Sequence, residues 1–139
     1  MLNADTQAAP RRGDLIPVIE LWGHLLVPLQ GDIGDRQMQD MIDDVLRRIA
    51  LRGAEGLLID ASGIWIVDSH LCAGIGRLAT AASIMGVPSV LCGLSAEVVM
   101  TLQTMGFELN EVKTATTLER ALEALGVVVQ RHQRQGEGR

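Results

Sequence analysis

Tyrosine is absent from this 139-residue chain, phenylalanine occurs once as Phe107, and the only tryptophans are Trp22 and Trp65. A surface that stacks nucleic-acid bases has almost nothing to be built from. Basic residues are in deficit: 12 Lys and Arg against 17 Asp and Glu leave a net charge of −5. That balance argues against phosphate-backbone binding, so no nucleic-acid partner is expected. No apolar run approaches the roughly 18 residues that a membrane span needs. The first ten residues lack a basic stretch followed by an apolar block, so they do not read as a secretory signal. No membrane partner is expected, and the chain reads as cytoplasmic. Two cysteines occur, Cys72 and Cys92, both in apolar surroundings. They read as reduced core thiols, with a disulfide as the minor alternative. His24, His70 and His132 are scattered, and no Cys-x-x-Cys or His-x-x-x-His pair exists. No metal is expected, and nothing calls for a cofactor.

What remains is an ordinary globular composition, 47% hydrophobic and 21% charged, of a size for one domain. Residues 1–14 and 130–139 are polar and bury too little apolar surface to offset the entropy of ordering, so both read as disordered tails. The body is residues 15–129. Ile16–Trp22 and Leu25–Leu29 read as two strands of a hairpin closed at Gly23-His24. Pro17 and Pro28 lack an amide donor, which places them at an edge or a strand end. Met38, Met41, Ile42, Val45, Leu46 and Ile49 recur at spacings of three and four and predict an amphipathic helix. Asp35 is its expected cap, Gly53 its stop, and Asp43–Arg47 and Asp44–Arg48 its ion pairs. Gly56–Asp60 predicts a buried strand. Asp68–Met85 predicts a helix with Cys72, Ile75, Leu78, Ala79, Ala82 and Met85 on its apolar side. Val87–Cys92 predicts another strand. A helix capped by Ser95 runs to Met105, with Val98, Leu102 and Met105 inward. Glu111–Lys113 reads as a last strand, and Thr116 with Glu119 as a capping box before a helix bearing Leu118, Leu122 and Leu125.

This order predicts an α/β fold: a mixed, mostly parallel sheet of about five strands with an antiparallel N-terminal edge and about four helices. Right-handed crossovers would leave the helices largely on one face if the strand order keeps changing direction. Partner sites in such sheets favour the carboxyl ends of the strands.

One such end carries Asp60-Ala-Ser-Gly-Ile-Trp-Ile-Val-Asp-Ser-His70. An ordinary reading is available: Asp60 and Ser62 shape a turn, Asp68 caps a helix, and Ser69 fills its first turn. A functional reading stands beside it. A hydroxyl in a first helical turn lies near free backbone N–H groups and the positive end of the helix dipole. A phosphate there adds about −1.5 to −2 charges and three acceptor oxygens. With Asp68 and Asp60 close by, it would change the surface more than the fold, as a binding switch requires. An enzyme is not expected. Asp68, Ser69 and His70 are consecutive, whereas a catalytic relay converges from separated segments. Gly74-Ile-Gly76 lies inside a helix, not at the start of one, and reads as close packing instead of a nucleotide loop. A phospho-aspartate receiver built on Asp60 lacks an acidic pair at the ends of the first strands.

The segment from Ile59 to Ser69 resembles the phosphorylation segment of STAS domains, the anti-sigma factor antagonist family. The resemblance extends to Ile16–Trp22 and Leu25–Gln30 as opening strands, and to Met85–Ser95 and Thr101–Gly106 in the later half. Within the family the likeness is to the RsbS-type stressosome scaffold. A chain of this length leaves no room for the sensor domain of RsbR-type proteins. The resemblance implies a non-enzymatic scaffold that co-assembles with an RsbR-like STAS protein into a large oligomer. It would hold an RsbT-like switch kinase, release it when Ser69 is phosphorylated, and be reset by an RsbX-like phosphatase. Asp60, Ser62, Gly63, Asp68 and His70 then form the kinase-binding loop around the phosphosite. His70 departs from the more usual apolar or small neighbour. Thr101 lies near a second phosphorylated Thr of RsbR-type relatives, although an ordinary helical Thr explains it better. A SpoIIAA-type antagonist that captures an anti-sigma kinase is the alternative within the same fold.

Overall fold

In a computed structural model the chain is described at residues 15–104, 106 and 112–127. Both expected tails, residues 128–129 of the expected body, and Met105, Phe107 and Glu111 lie outside the described residues. The elements run β1 (Ile19–Leu21), β2 (His24–Gln30), α1 (Asp35–Arg52), β3 (Gly56–Gly63), α2 (Ser69–Ile84), β4 (Ser89–Cys92), α3 (Ala96–Thr104), β5 (Lys113–Ala115) and α4 (Leu118–Ala124). The five strands lie side by side in sequence order, β1 antiparallel to β2 and all other neighbours parallel. The α/β class, the antiparallel edge and the order of elements are as the sequence predicts.

The strand order does not keep changing direction. It advances one way from β2 to β5, and crossovers of one hand then set successive helices on the same face. Leu25, Val27, Leu29, Leu57, Ile59, Ala61 and Leu91 face α1 and α2 in the main core. Alternate residues Leu58, Val90 and Cys92 face α4 on the other side, with Ala121 and Leu122. Burial on both faces is why β3 and β4 read as continuous apolar runs. Gly74 permits the contact between α1 and α2: a Cβ there would lie 2.5 Å from Met38 Cγ.

β1 is shorter than predicted for a reason visible in the register. Ile19 pairs with Leu26 and Leu21 with His24, so continuing the ladder would set Pro17 opposite Pro28. Neither has an N–H to give, and pairing stops. Pro28 thus sits within β2, but where β2 has lost its β1 neighbour. The hairpin closes at Trp22-Gly23, not Gly23-His24, and both turn residues have positive φ, 49° and 79°. His24 is instead the first residue of β2, buried, its Nδ1 2.9 Å from the Trp22 carbonyl oxygen.

A two-residue turn with both φ values positive prefers Asn-Gly, and a left-handed backbone costs an L-residue roughly 1–2 kcal/mol. Trp22 is 68% exposed and gives little burial in return. Trp22→Asn is therefore expected to stabilise the fold by about 1 kcal/mol and raise the melting temperature by a few degrees. A lower melting temperature in a calorimetric scan would contradict this account.

Several local expectations are corrected. Gly34, not Asp35, is the cap of α1, with its N–H donating to Gln37 Oε1 at 2.9 Å. Asp35 begins the helix, where a carboxylate is favoured by the dipole. Arg47 leans on Asp44 at 4.0 Å and Arg48 on the same carboxylate at 3.3 Å, while Asp43 accepts from Gln39, so the Asp43–Arg47 pair does not form. Met85 follows α2 and is 40% exposed, beyond the buried face. Thr117, not Thr116, caps α4, accepting from the Arg120 N–H at 3.2 Å. The last strand is Lys113–Ala115, and β3 runs three residues past Asp60.

Candidate functional site

β3 carries Asp60 to the carboxyl end of the sheet, beside Pro28 of β2 and Cys92 of β4. Its ladder with β2 then slips by one residue, Pro28 opposite Asp60 but Gln30 opposite Gly63. That bulge turns the chain out of the sheet. Asp60 Oδ1 accepts from the Ser62 N–H at 3.0 Å, a local side-chain turn. Gly63 lies against Gln30, where a Cβ would come within 2.8 Å of Gln30 Cγ.

The five residues between β3 and α2 divide by exposure. Ile64 is buried and Val67 half-buried, both packed on the core, while Trp65 and Ile66 are 83% and 61% exposed. Asp68 then caps α2 in extended backbone, its Oδ1 accepting from the Leu71 N–H at 2.8 Å. A cap of this kind stabilises a helix by about 1 kcal/mol. Ser69 is the first helical residue and exposed. Its hydroxyl takes part in no hydrogen bond among the described residues. His70 is exposed and turns to α1, with Nδ1 3.6 Å from Asp35 Oδ1.

Asp60 and Ser62 therefore share one turn, Asp68, Ser69 and His70 one helix start, and His70 ties that start to α1. Thr101 stands apart, on α3, its Oγ1 donating to the Glu97 carbonyl oxygen at 2.9 Å. Sequence reasoning missed four participants. Trp65 and Ile66 sit in a run of apolar residues whose facing no periodicity reveals. Gly93 follows β4, has φ +78°, and packs against both Asp60 and Ser62. Asp35, expected only as a cap, instead meets His70.

The two thiols are buried and free. Burial, and then the Asp60 charge, push Cys92 up to about 11. Burial, and then Asp68, also raise Cys72. Both stay protonated near neutrality and are poor nucleophiles. Among the described residues no three His, Cys, Asp or Glu side chains gather to hold a metal, and no helix is long and apolar enough to cross a membrane. An open hollow of about 680 Å³ lies between residues 15–18 and α1 and touches none of Asp60, Ser62, Asp68 or Ser69. The one-way strand order also leaves no switch-point crevice. The arrangement offers an exposed loop and helix start whose Ser69 hydroxyl is bonded by no described residue.

No protein-family model matches the chain. It is 32% identical over 126 residues to the RsbT co-antagonist protein RsbRB of Bacillus subtilis (strain 168), covering 87% of this chain and 46% of that one. It is also 32% identical over 87 residues to the uncharacterized protein YezB of the same organism, covering 63% of this chain and 89% of that protein. Among solved structures, a serine-to-glutamate variant of Moorella thermoacetica RsbS superimposes with a TM-score of 0.71 at 26% identity, covering 80% of this chain and 94% of that one. The chain spans less than half the length of the RsbT co-antagonist proteins it matches.

Proposed function

The chain belongs to the STAS family of anti-sigma factor antagonists, regulatory and non-catalytic proteins, and from that premise we propose that it is an RsbS-like stressosome scaffold switched by phosphorylation of Ser69. The reading is carried by one observation. Ser69 stands exposed at the start of α2 with its hydroxyl unused, because Asp68 already makes the cap. The fold does not need this hydroxyl, and a kinase can reach it.

In the unmodified state the protein, co-assembled with an RsbR-like partner, holds an RsbT-like kinase. Ser69 Oγ then bonds to the γ-phosphorus of ATP, the bond to ADP breaks, and the hydroxyl proton passes to a base of the kinase. The helix dipole favours the new charge by about 0.3–1 kcal/mol, and repulsion from exposed Asp68 opposes it by about 1 kcal/mol. These nearly cancel, so the fold persists while the surface changes. The kinase leaves, and an RsbX-like phosphatase hydrolyses the ester to restore the site. Thr101 is assigned no part, since its hydroxyl already serves its helix.

The test is co-expression with an RsbR-like protein and an RsbT-type kinase of the same organism. The expected result is a large co-assembly and, after ATP, a single phosphopeptide at Ser69. A modification located elsewhere, or a lone chain that pairs only with an anti-sigma kinase, would refute the scaffold reading.

A further inference from the structure

We infer that the surface around Ser69 seats its kinase on the exposed Trp65 and Ile66 side chains and not through charge, and that a phosphoryl group on Ser69 breaks the complex because it cannot shed its water at that apolar seat. This rests on the proposed function and adds the chemistry of the partner surface.

Reach comes first. Trp65 and Ser69 are four residues apart, so their Cα atoms lie within about 14 Å of each other. A stable interface buries about 800 Å² per partner, a disc of roughly 16 Å radius. A kinase held over Ser69 therefore covers Trp65 and Ile66. These are 83% and 61% exposed. Ile64 and Val67 hold the loop to the core on either side, so little order remains to be acquired on docking. A projecting Trp on a fixed loop is the residue type that carries most energy when an interface closes.

Charge decides the rest. The carboxyl end of the sheet presents Asp32, Asp35 and Asp68 exposed and Asp60 partly exposed. Among the described residues there, Arg36 already lies 4.0 Å from Asp40, and His70 Nδ1 lies 3.6 Å from Asp35. A basic kinase surface would be drawn to this face, and a phosphate's added charge of about −1.5 to −2 would tighten the complex. An acidic surface would be repelled before any modification. Release on phosphorylation therefore falls to the apolar contact beside the kinase's catalytic groups, where a doubly charged group on Ser69 must be stripped of water without a partner as the Trp65 and Ile66 seat closes.

The experiment measures binding of the full chain to the RsbT-type kinase of the same organism by interferometry. Trp65→Ala is expected to weaken binding by about thirty-fold or more, and Ile66→Ala by less. Wild-type affinity is expected to change less than about threefold between low and high salt. Both variants should melt like wild type, because both side chains are exposed. Trp65→Ala binding as wild type does, a tenfold or larger loss of wild-type affinity in high salt, or a Trp65→Ala variant that loses only the RsbR-like partner would each overturn the inference. Mass-spectrometric labelling of Ser69 reads the proposed function separately. An unlabelled wild type sinks that function, whereas a labelled wild type with Trp65-independent capture sinks only the apolar seat.

Discussion

Replacing Ser69 with alanine is expected to reduce kinase labelling to background while leaving both stability and kinase capture unchanged. The hydroxyl is exposed and makes no hydrogen bond among the described residues, so its loss should move unfolding free energy by less than about 0.5 kcal/mol. Capture should persist because the unmodified serine contributes one small polar group to a large surface. Ser69→Asp is expected to behave differently. A carboxylate must be dehydrated on docking as a phosphate must, but it carries one charge instead of about two. Capture should weaken roughly tenfold, less than after phosphorylation itself. A pull-down series with wild type, Ser69→Ala, Ser69→Asp and the phosphorylated chain orders the four affinities. Equal capture by Ser69→Asp and wild type would remove the basis for a charge-controlled release.

The largest expected effect on stability lies behind the site, at Gly93. Its φ of +78° belongs to the left-handed region, and a Cβ there would stand 2.8 Å from Asp60 Oδ1, from Ser62 Cβ and from the Ser62 backbone nitrogen. Real Cβ atoms essentially never stand this close to another heavy atom, and one of the three is backbone held in the β3 bulge. Gly93→Ala combines a backbone cost of roughly 1–2 kcal/mol with overpacking of about 1–3 kcal/mol, for a total near 3 kcal/mol. The variant should unfold at a clearly lower urea concentration than wild type. An unchanged midpoint would show that the loop after β4 can yield without strain.

Much of the architecture was legible because it is written locally. The methionine-rich stripe of α1 repeats at the helical period, and five of its six predicted residues are buried. Asp68 followed by Ser69 was readable as a cap and a first turn, since capping needs only a carboxylate three residues before a free N–H. Local signals also failed where two candidates stood side by side. Gly34 displaced Asp35 because the Gln37 side chain reaches back to the Gly34 N–H, and Thr117 displaced Thr116. One residue of slip costs a propensity argument nothing, but it decides which side chain carries the contact.

The order of strands and helices, the antiparallel start and the place of Ser69 at a helix mouth were determined by the sequence alone, since periodicity and capping act over a few neighbours. Only the tertiary structure decided that the strands advance one way across the sheet, that Ile64 and Val67 turn inward while Trp65 and Ile66 turn out, that Gly93 backs the Asp60 turn, and that His70 reaches Asp35. Those outcomes depend on segments distant along the chain competing for the same space, and no local pattern records who wins.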